Sequence, residues 1–233
     1  MPAPSPAPLA GATIVFDLDG TLVDSAPDLV GALNAVLDEE RLPAVPLARA
    51  RSLVGRGAKA LIARGFALAD EPLSEPALDR LTARFLDIYR GRIAQETRPF
   101  PGLEAALDSL AADGATLCVC TNKSTDLSVQ LLDALGLTHR FAAVIGHDLA
   151  PARKPDPSHV LAAIAAAGGQ PTRAVMVGDT EPDVVSAKTA GVPVIVVGFG
   201  YSGAPVAELG ADAVIEDLAA LPAEVARRLA ARP

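Results

Sequence analysis

The 233-residue sequence predicts an α/β fold: a parallel sheet covered by helices on both faces, with a helical insert after its first strand. Three observations carry this reading. Short apolar, β-branched runs recur at 13–16, 116–120, 142–145, 174–177 and 194–197, with a weaker one at 213–215. Helical patterns lie between most of them. Residues 26–95, by contrast, hold helical patterns and no convincing strand.

The elements follow in chain order. TIVF, at 13–16, runs straight into Asp17 and Asp19. Ser25 and Pro27 mark a helix start, and Leu29, Leu33, Val36 and Leu37 form its apolar stripe. LVGRGAKALIARG, at 53–65, sets Gly55 and Gly57 around Arg56 ahead of a short helix. Leu78, Leu81, Phe85, Ile88 and Tyr89 make a second stripe. Beyond the insert, Leu103, Leu107 and Leu110 recur at helical spacing, as do Leu127, Leu131 and Leu135 before a stop at Gly136. Asp156 and Pro157 are an N-cap and first-turn pair for a helix reaching Ala167, closed by Gly168 and Gly169. Crossovers between parallel strands of one sheet are right-handed.

Half of the residues are hydrophobic but only 3% are aromatic and none is Trp, so Ala, Leu and Val must build the core. The net charge is -8 and no Lys/Arg run appears, which argues against nucleic acid and anionic membrane surfaces as partners. No apolar stretch is long enough to span a bilayer. The opening MPAPSPAPLAGA lacks the basic and apolar regions of a signal peptide, and its Pro and Ala predict an extended, poorly ordered tail over 1–11. The expectation is a cytoplasmic protein. Cys118 and Cys120 share one face of a strand and read as buried thiols, since their spacing is wrong for a redox or zinc pair. His139, His147 and His159 are scattered and read as surface or loop residues.

Ligands of open α/β sheets bind at the carboxyl ends of the strands. Asp17 and Asp19 follow the first strand, and Thr121 and Asn122 the second. Gly178 and Asp179 follow the fourth, with Asp183 a turn later, and Lys154 sits in RKPDP just before a helix. Two carboxylates so close repel unless one is protonated or a cation lies between them. Acids, a Thr and a Lys at one rim therefore suggest a divalent cation together with a bound anion.

These residues resemble the haloacid dehalogenase-like hydrolases. FDLDGTLVDS matches the family's first motif, D-x-D-G-T. Thr121 in VCTNK matches the second, Lys154 in RKPDP the third, and GDTEPD, at 178–183, the fourth. All four stand in order. The resemblance implies a Rossmann-like core over 12–24 and 96–233 and a small helical cap domain over 25–95. Within the family the chain is similar to bacterial phosphoglycolate phosphatases, in LVDSAPDL, ALNAVL, LVGRGAKALI, FPGLEAAL and TNKS. Related sugar-phosphate phosphatases and mutases share most of these segments.

The resemblance also implies roles. Asp17 would be the nucleophile that forms an aspartyl-phosphate, and Asp19 the acid that protonates the leaving alkoxide and then activates water. Mg²⁺ would be held by the side chains of Asp17 and Asp179 and the carbonyl of Asp19, with Asp183 beside the ion or joined through water. Thr121 and the N–H of Asn122 would hold phosphate oxygens, and Lys154 would face the phosphoryl group. Arg56 and Lys59 are the cap residues expected to meet the rest of the substrate. The function implied is a Mg²⁺-dependent phosphatase for a small phosphate ester, with 2-phosphoglycolate favoured. Another sugar phosphate, a nucleotide or pyrophosphate is an alternative substrate. A phosphosugar mutase and a receiver-like binding module are the alternatives of other kinds. The expected assembly is a monomer or homodimer, with neither nucleic acid nor membrane as partner.

Overall fold

The computed structural model describes residues 7–231. Among them the chain first forms β1 (Thr13–Phe16), then the two-residue β2 (Val23–Asp24). Four helices follow: α1 (Ala26–Glu39), α2 (Leu47–Ala50), α3 (Ala58–Ala67) and α4 (Glu75–Arg90). The chain returns through β3 (Arg98–Pro99), α5 (Leu103–Ala112) and β4 (Thr116–Thr121). It continues as α6 (Thr125–Ala134), β5 (Ala143–Gly146), α7 (Pro157–Ala166), β6 (Ala174–Gly178) and α8 (Glu181–Thr189). β7 (Val194–Val197), β8 (Ala213–Ile215) and α9 (Leu221–Ala230) complete it.

Six strands form one parallel sheet in the order β5-β4-β1-β6-β7-β8. β1 lies at its centre, paired with β4 on one side and β6 on the other. Alternate strand residues supply the two faces. Ile14, Phe16, Leu117, Val119, Val175 and Val177 pack against the apolar sides of α5, α6 and α9. Val15, Cys118, Cys120, Met176 and Val194 pack on the other face against α7 and α8. The two cysteines are buried as expected, and burial pushes the Cys118 thiol up to about 12.

The predicted strands are found within a residue at each end. β4 runs on to Thr121 and β6 to Gly178 because both still pair with neighbours, Gly146 and Val196. The ribbon of β2 and β3 had no signature, since two residues are too few to show alternation. Of the tail expectation, residues 1–6 lie outside the described residues. Its inner end differs from the extended reading: Leu9 is buried in the sheet's core cluster, and its N–H donates to the Asp113 carbonyl.

Helices α1 to α4 gather around their own apolar cluster, in which Leu33, Val36, Leu37, Ile62, Phe66 and Phe85 are buried. Leu81, Phe85 and Tyr89 from the α4 stripe are buried there, and the Phe85 and Tyr89 rings stack with centroids 6.0 Å apart. The insert leaves the sheet through β2 and returns through β3, and these two pair antiparallel. Asp28 of α1 fixes the return. Its buried Oδ2 accepts from the N–H of Glu96 (3.0 Å) and from the N–H and hydroxyl of Thr97 (2.8 and 2.7 Å).

Asp28→Ala would strand these donors and Arg92, whose Nε lies 3.5 Å from Asp28 Oδ1. It is expected to cost about 3–5 kcal/mol in equilibrium urea unfolding; a loss below about 1 kcal/mol would contradict the anchoring role.

Candidate active site

The site is built where β1, β4 and β6 end. The Asp17 N–H still donates to the Val177 carbonyl (2.9 Å), so the first acid is carried by the sheet's own ladder. Gly20 then turns the chain at φ 90°, and a Cβ there would lie 2.2 Å from Asp179 Oδ2. Glycine is therefore required twice over, for the turn and for the close approach. The Thr21 hydroxyl donates to Asp179 Oδ1 (3.2 Å), joining the β1 loop to the β6 loop.

Asp17, Asp179 and Asp183 converge, each with a carboxylate oxygen within 4.8 Å of the others. All three are buried. Lys154 reaches them from the loop before α7. Its Nζ donates to Asp183 Oδ1 (2.7 Å) and to the Cys120 carbonyl (2.7 Å). The same Nζ lies 2.9 Å from Asp17 Oδ1, in ion-pair contact but not aligned as a hydrogen bond, which leaves that buried oxygen without a hydrogen-bond partner. Burial pulls Lys154 down, but Asp17 and Asp183 outweigh it and hold the ammonium above the ordinary lysine value. Burial pushes Asp17 up to about 7 against the pull of Lys154, with Asp183 and Asp19 adding to the rise. Burial, then Asp183 and Asp17, raise Asp179 well above the usual carboxylate range.

One lysine among three acids leaves the cluster short of positive charge. Hard oxygen donors in this number, one of them without a hydrogen bond, fit a divalent cation. Asp183 fits such an ion less directly than Asp17 and Asp179. Its Oδ2 already accepts from the N–H groups of Asp179 and Thr180 and from the Thr180 hydroxyl, and its Oδ1 holds Lys154. It holds the loop and the start of α8.

Asp19 lies apart from this cluster. Its Oδ1 accepts from Ser25 Oγ (2.5 Å) and Lys123 Nζ (2.8 Å). Thr121 ends β4 with its Oγ1 accepting from the Lys123 N–H (3.2 Å), so its own hydroxyl hydrogen can donate elsewhere. Asn122 Nδ2 donates to the carbonyls of Gly55 and Lys154 (both 3.1 Å) and ties the insert to the core. Asp17, Asp19, Thr121, Asn122 and Lys59 all border one cavity of about 260 Å³ between sheet and insert. Leu29, Val54, Leu61, Phe85 and Leu86 form its apolar wall.

Arg56 does not border that cavity. Its guanidinium is exposed and pairs with Glu181 (2.7 Å), because the Gly-Arg-Gly loop turns its side chain outward. Lys59 borders the cavity, but its ammonium is taken by Glu75 and Asp79 (2.8 and 2.7 Å). His159 also departs from the surface reading: it is fully buried. Its Nδ1 accepts from the Lys154 N–H (3.2 Å), and its Nε2 lies 3.2 Å from the Ile145 carbonyl, so the neutral ring bridges the Lys154 loop to β5. His147 borders the cavity and His139 is exposed.

Three participants escaped the sequence reading. Lys123 is buried and donates to Tyr89 Oη (2.8 Å) as well as to Asp19. Tyr89 comes from α4 of the insert. Tyr201 gives its N–H to Asp179 Oδ2 (2.7 Å) and its hydroxyl to Asp24 Oδ1 (2.6 Å), linking the acid cluster to β2.

Burial, then the charge of Lys154, lowers His159 to about 4 from 6.5. The unfolded chain therefore binds this proton first. Stability held at neutral pH falls as pH drops through 6.5 and levels off below about 4. In urea unfolding across that window, His159→Gln should flatten the pH dependence by up to ~1.4 kcal/mol per pH unit relative to wild type; parallel curves would refute the buried neutral ring.

Comparison with known proteins agrees with this geometry. The model of the family described as "Haloacid dehalogenase-like hydrolase" matches residues 14–197. A phosphoglycolate phosphatase of Caulobacter vibrioides is 56% identical over 214 residues, spanning 92% of this chain and 90% of that protein. One of Agrobacterium fabrum is 47% identical over 207 residues, 89% of each chain. The solved structure of a Haemophilus somnus protein, described as a predicted phosphoglycolate phosphatase, superposes with a TM-score of 0.84 at 30% identity and covers 91% of this chain and 97% of its own.

Proposed function

The chain belongs to the haloacid dehalogenase-like hydrolases and is a phosphatase of that family, and from this premise we propose that it hydrolyses 2-phosphoglycolate to glycolate and phosphate. Residues 12–24 and 96–233 would act as the catalytic core and 25–95 as the cap over it. The observation that carries the mechanism is the separation of the two neighbouring acids. Asp17 sits with Lys154 in the acid cluster, while Asp19 is held by Lys123 and Ser25 at the cavity.

That division suits two different tasks. An Asp17 carboxylate oxygen attacks phosphorus, and the bond from phosphorus to the ester oxygen breaks. Asp19, as the general acid, gives a proton to the departing alkoxide, which leaves as glycolate. The result is an aspartyl-phosphate on Asp17. Asp19, now a carboxylate, takes a proton from water as that water attacks phosphorus, and Asp17 is released with inorganic phosphate. The Thr121 hydroxyl and the Asn122 N–H hold the phosphoryl oxygens, and Lys154 offsets the charge that gathers between Asp17 and the phosphoryl group. Asp17, Asp179 and the Asp19 carbonyl, with Asp183 beside them, would hold Mg²⁺, which would supply charge neutralisation to the acids and the phosphoryl group.

A second reading, a phosphatase for a larger sugar phosphate, draws on the cavity's volume of about 260 Å³. The relatives' names favour 2-phosphoglycolate.

The test is phosphate release from 2-phosphoglycolate, sugar phosphates, nucleotides and pyrophosphate. 2-Phosphoglycolate should be turned over best, with activity lost in EDTA and restored by excess Mg²⁺. Asp17→Asn should abolish release, and Asp19→Asn should lower kcat by ~10²–10⁴-fold. Full activity in Asp17→Asn would overturn the mechanism, and preference for a sugar phosphate would move the substrate.

A further inference from the structure

We propose that Lys123 is the specificity-determining residue that binds the substrate's carboxylate. The inference rests on the phosphoglycolate reading and deepens it by assigning the group that recognises the acid end. Among the described residues, Lys59, Lys123, Arg153 and Lys154 are the lysines and arginines that border or reach the site. Lys154 gives two of its donors to Asp183 and the Cys120 carbonyl, and its charge is already shared between Asp183 and Asp17, the latter 2.9 Å away. Lys59 is held by two carboxylates of α4's first turns. Arg153 borders the cavity but is exposed at its edge.

Lys123 differs from all three. Its side chain is buried, and two of its donors serve Asp19 Oδ1 and Tyr89 Oη, both at 2.8 Å. The ammonium also lies 4.8 Å from the Tyr89 ring centroid. Among the described residues no hydrogen-bond acceptor takes its third N–H, and the residue borders the cavity. Among the described residues only one carboxylate, Asp19, pairs with this charge, in a cavity whose wall is otherwise largely apolar. An anion entering there meets a strong, weakly screened donor.

Distance then selects the ligand. In the mechanism above, Asp19 must reach the ester oxygen at hydrogen-bond distance. In 2-phosphoglycolate a carboxylate oxygen lies only ~2.7–3.6 Å from that ester oxygen, by ordinary bond lengths. Lys123, in contact with Asp19, is therefore within reach of the carboxylate while the ester oxygen faces Asp19. Arg153, at the outer edge, suits a longer substrate. One lysine thus joins two tasks: it holds Asp19 in place and marks the acid end of the ester beside it.

The experiment compares kcat/KM for 2-phosphoglycolate and for 2-hydroxyethyl phosphate, which has a hydroxymethyl group in place of the carboxylate. Wild type should prefer 2-phosphoglycolate strongly. Lys123→Met should lose ~100-fold or more on 2-phosphoglycolate but ~10-fold or less on 2-hydroxyethyl phosphate, the shared loss reflecting Asp19. Equal losses on both esters, with the wild-type preference intact, overturn the inference and leave the phosphoglycolate reading standing. A wild type without preference overturns both. If Lys123→Met lacks a folded circular-dichroism spectrum, Lys123→Arg carries the test. It should raise KM for 2-phosphoglycolate several-fold while moving that for 2-hydroxyethyl phosphate less than twofold, and equal changes again overturn the inference.

Discussion

Everything at the carboxyl end of this sheet depends on confining like charges. Asp17, Asp19, Asp179 and Asp183 are all buried beyond the ends of two central strands, β1 and β6, Asp183 in the first turn of α8. Four carboxylates so placed would repel one another strongly in a low-dielectric interior. The fold answers with two buried lysines and with hydrogen bonds. Asp183 is filled by Lys154 and the start of α8, while Asp179 accepts one hydrogen bond at each oxygen, from Thr21 and from Tyr201. What remains incompletely satisfied is Asp17, whose Oδ1 has an ion-pair neighbour but no hydrogen bond. Burial, with Asp183 and Asp19 adding to it, raises its pKa against the pull of Lys154.

The parallel sheet makes the confinement possible. Neighbouring strands deliver their ends to one rim, so residues far apart in sequence meet without any long loop having to find its way. The supports of the site extend well behind it. His159 holds the Lys154 loop against β5, and Tyr201 runs from Asp179 to the strand that leads into the insert. A residue with no contact to substrate can therefore govern where a charged group sits.

Legibility in the sequence followed how local the signal was. Asp17, Asp19, Asp179 and Lys154 stood out because each directly follows a strand or precedes a helix at the rim where ligands bind. The sheet was legible because buried parallel strands are nearly continuous apolar runs. Lys123 was hidden. A lysine in a polar TNKS loop looks like a solvated charge, and what holds it inward is Asp19 together with Tyr89, both far from it in the chain. His159 was hidden for a similar reason, since its partners are a backbone N–H and a carbonyl, which leave no mark in the sequence. Arg56 pairs outward with Glu181, a direction the sequence does not carry because glycines on both sides grant the loop freedom but give its side chain none.

The ribbon of β2 and β3 bears on how the chain reaches this arrangement. β1 must find β4 across everything between residues 16 and 116. Ordering so long a loop is costly, and pairing across it is slow. Once the helices between have gathered around their own apolar cluster, the ribbon brings the two ends of that segment side by side. The stretch still to be closed shrinks to the short pieces on either side of the ribbon. About two halvings of loop length are saved, worth roughly 1 kcal/mol in closure entropy. The segment that interrupts the sheet in sequence thereby shortens the path by which the sheet assembles.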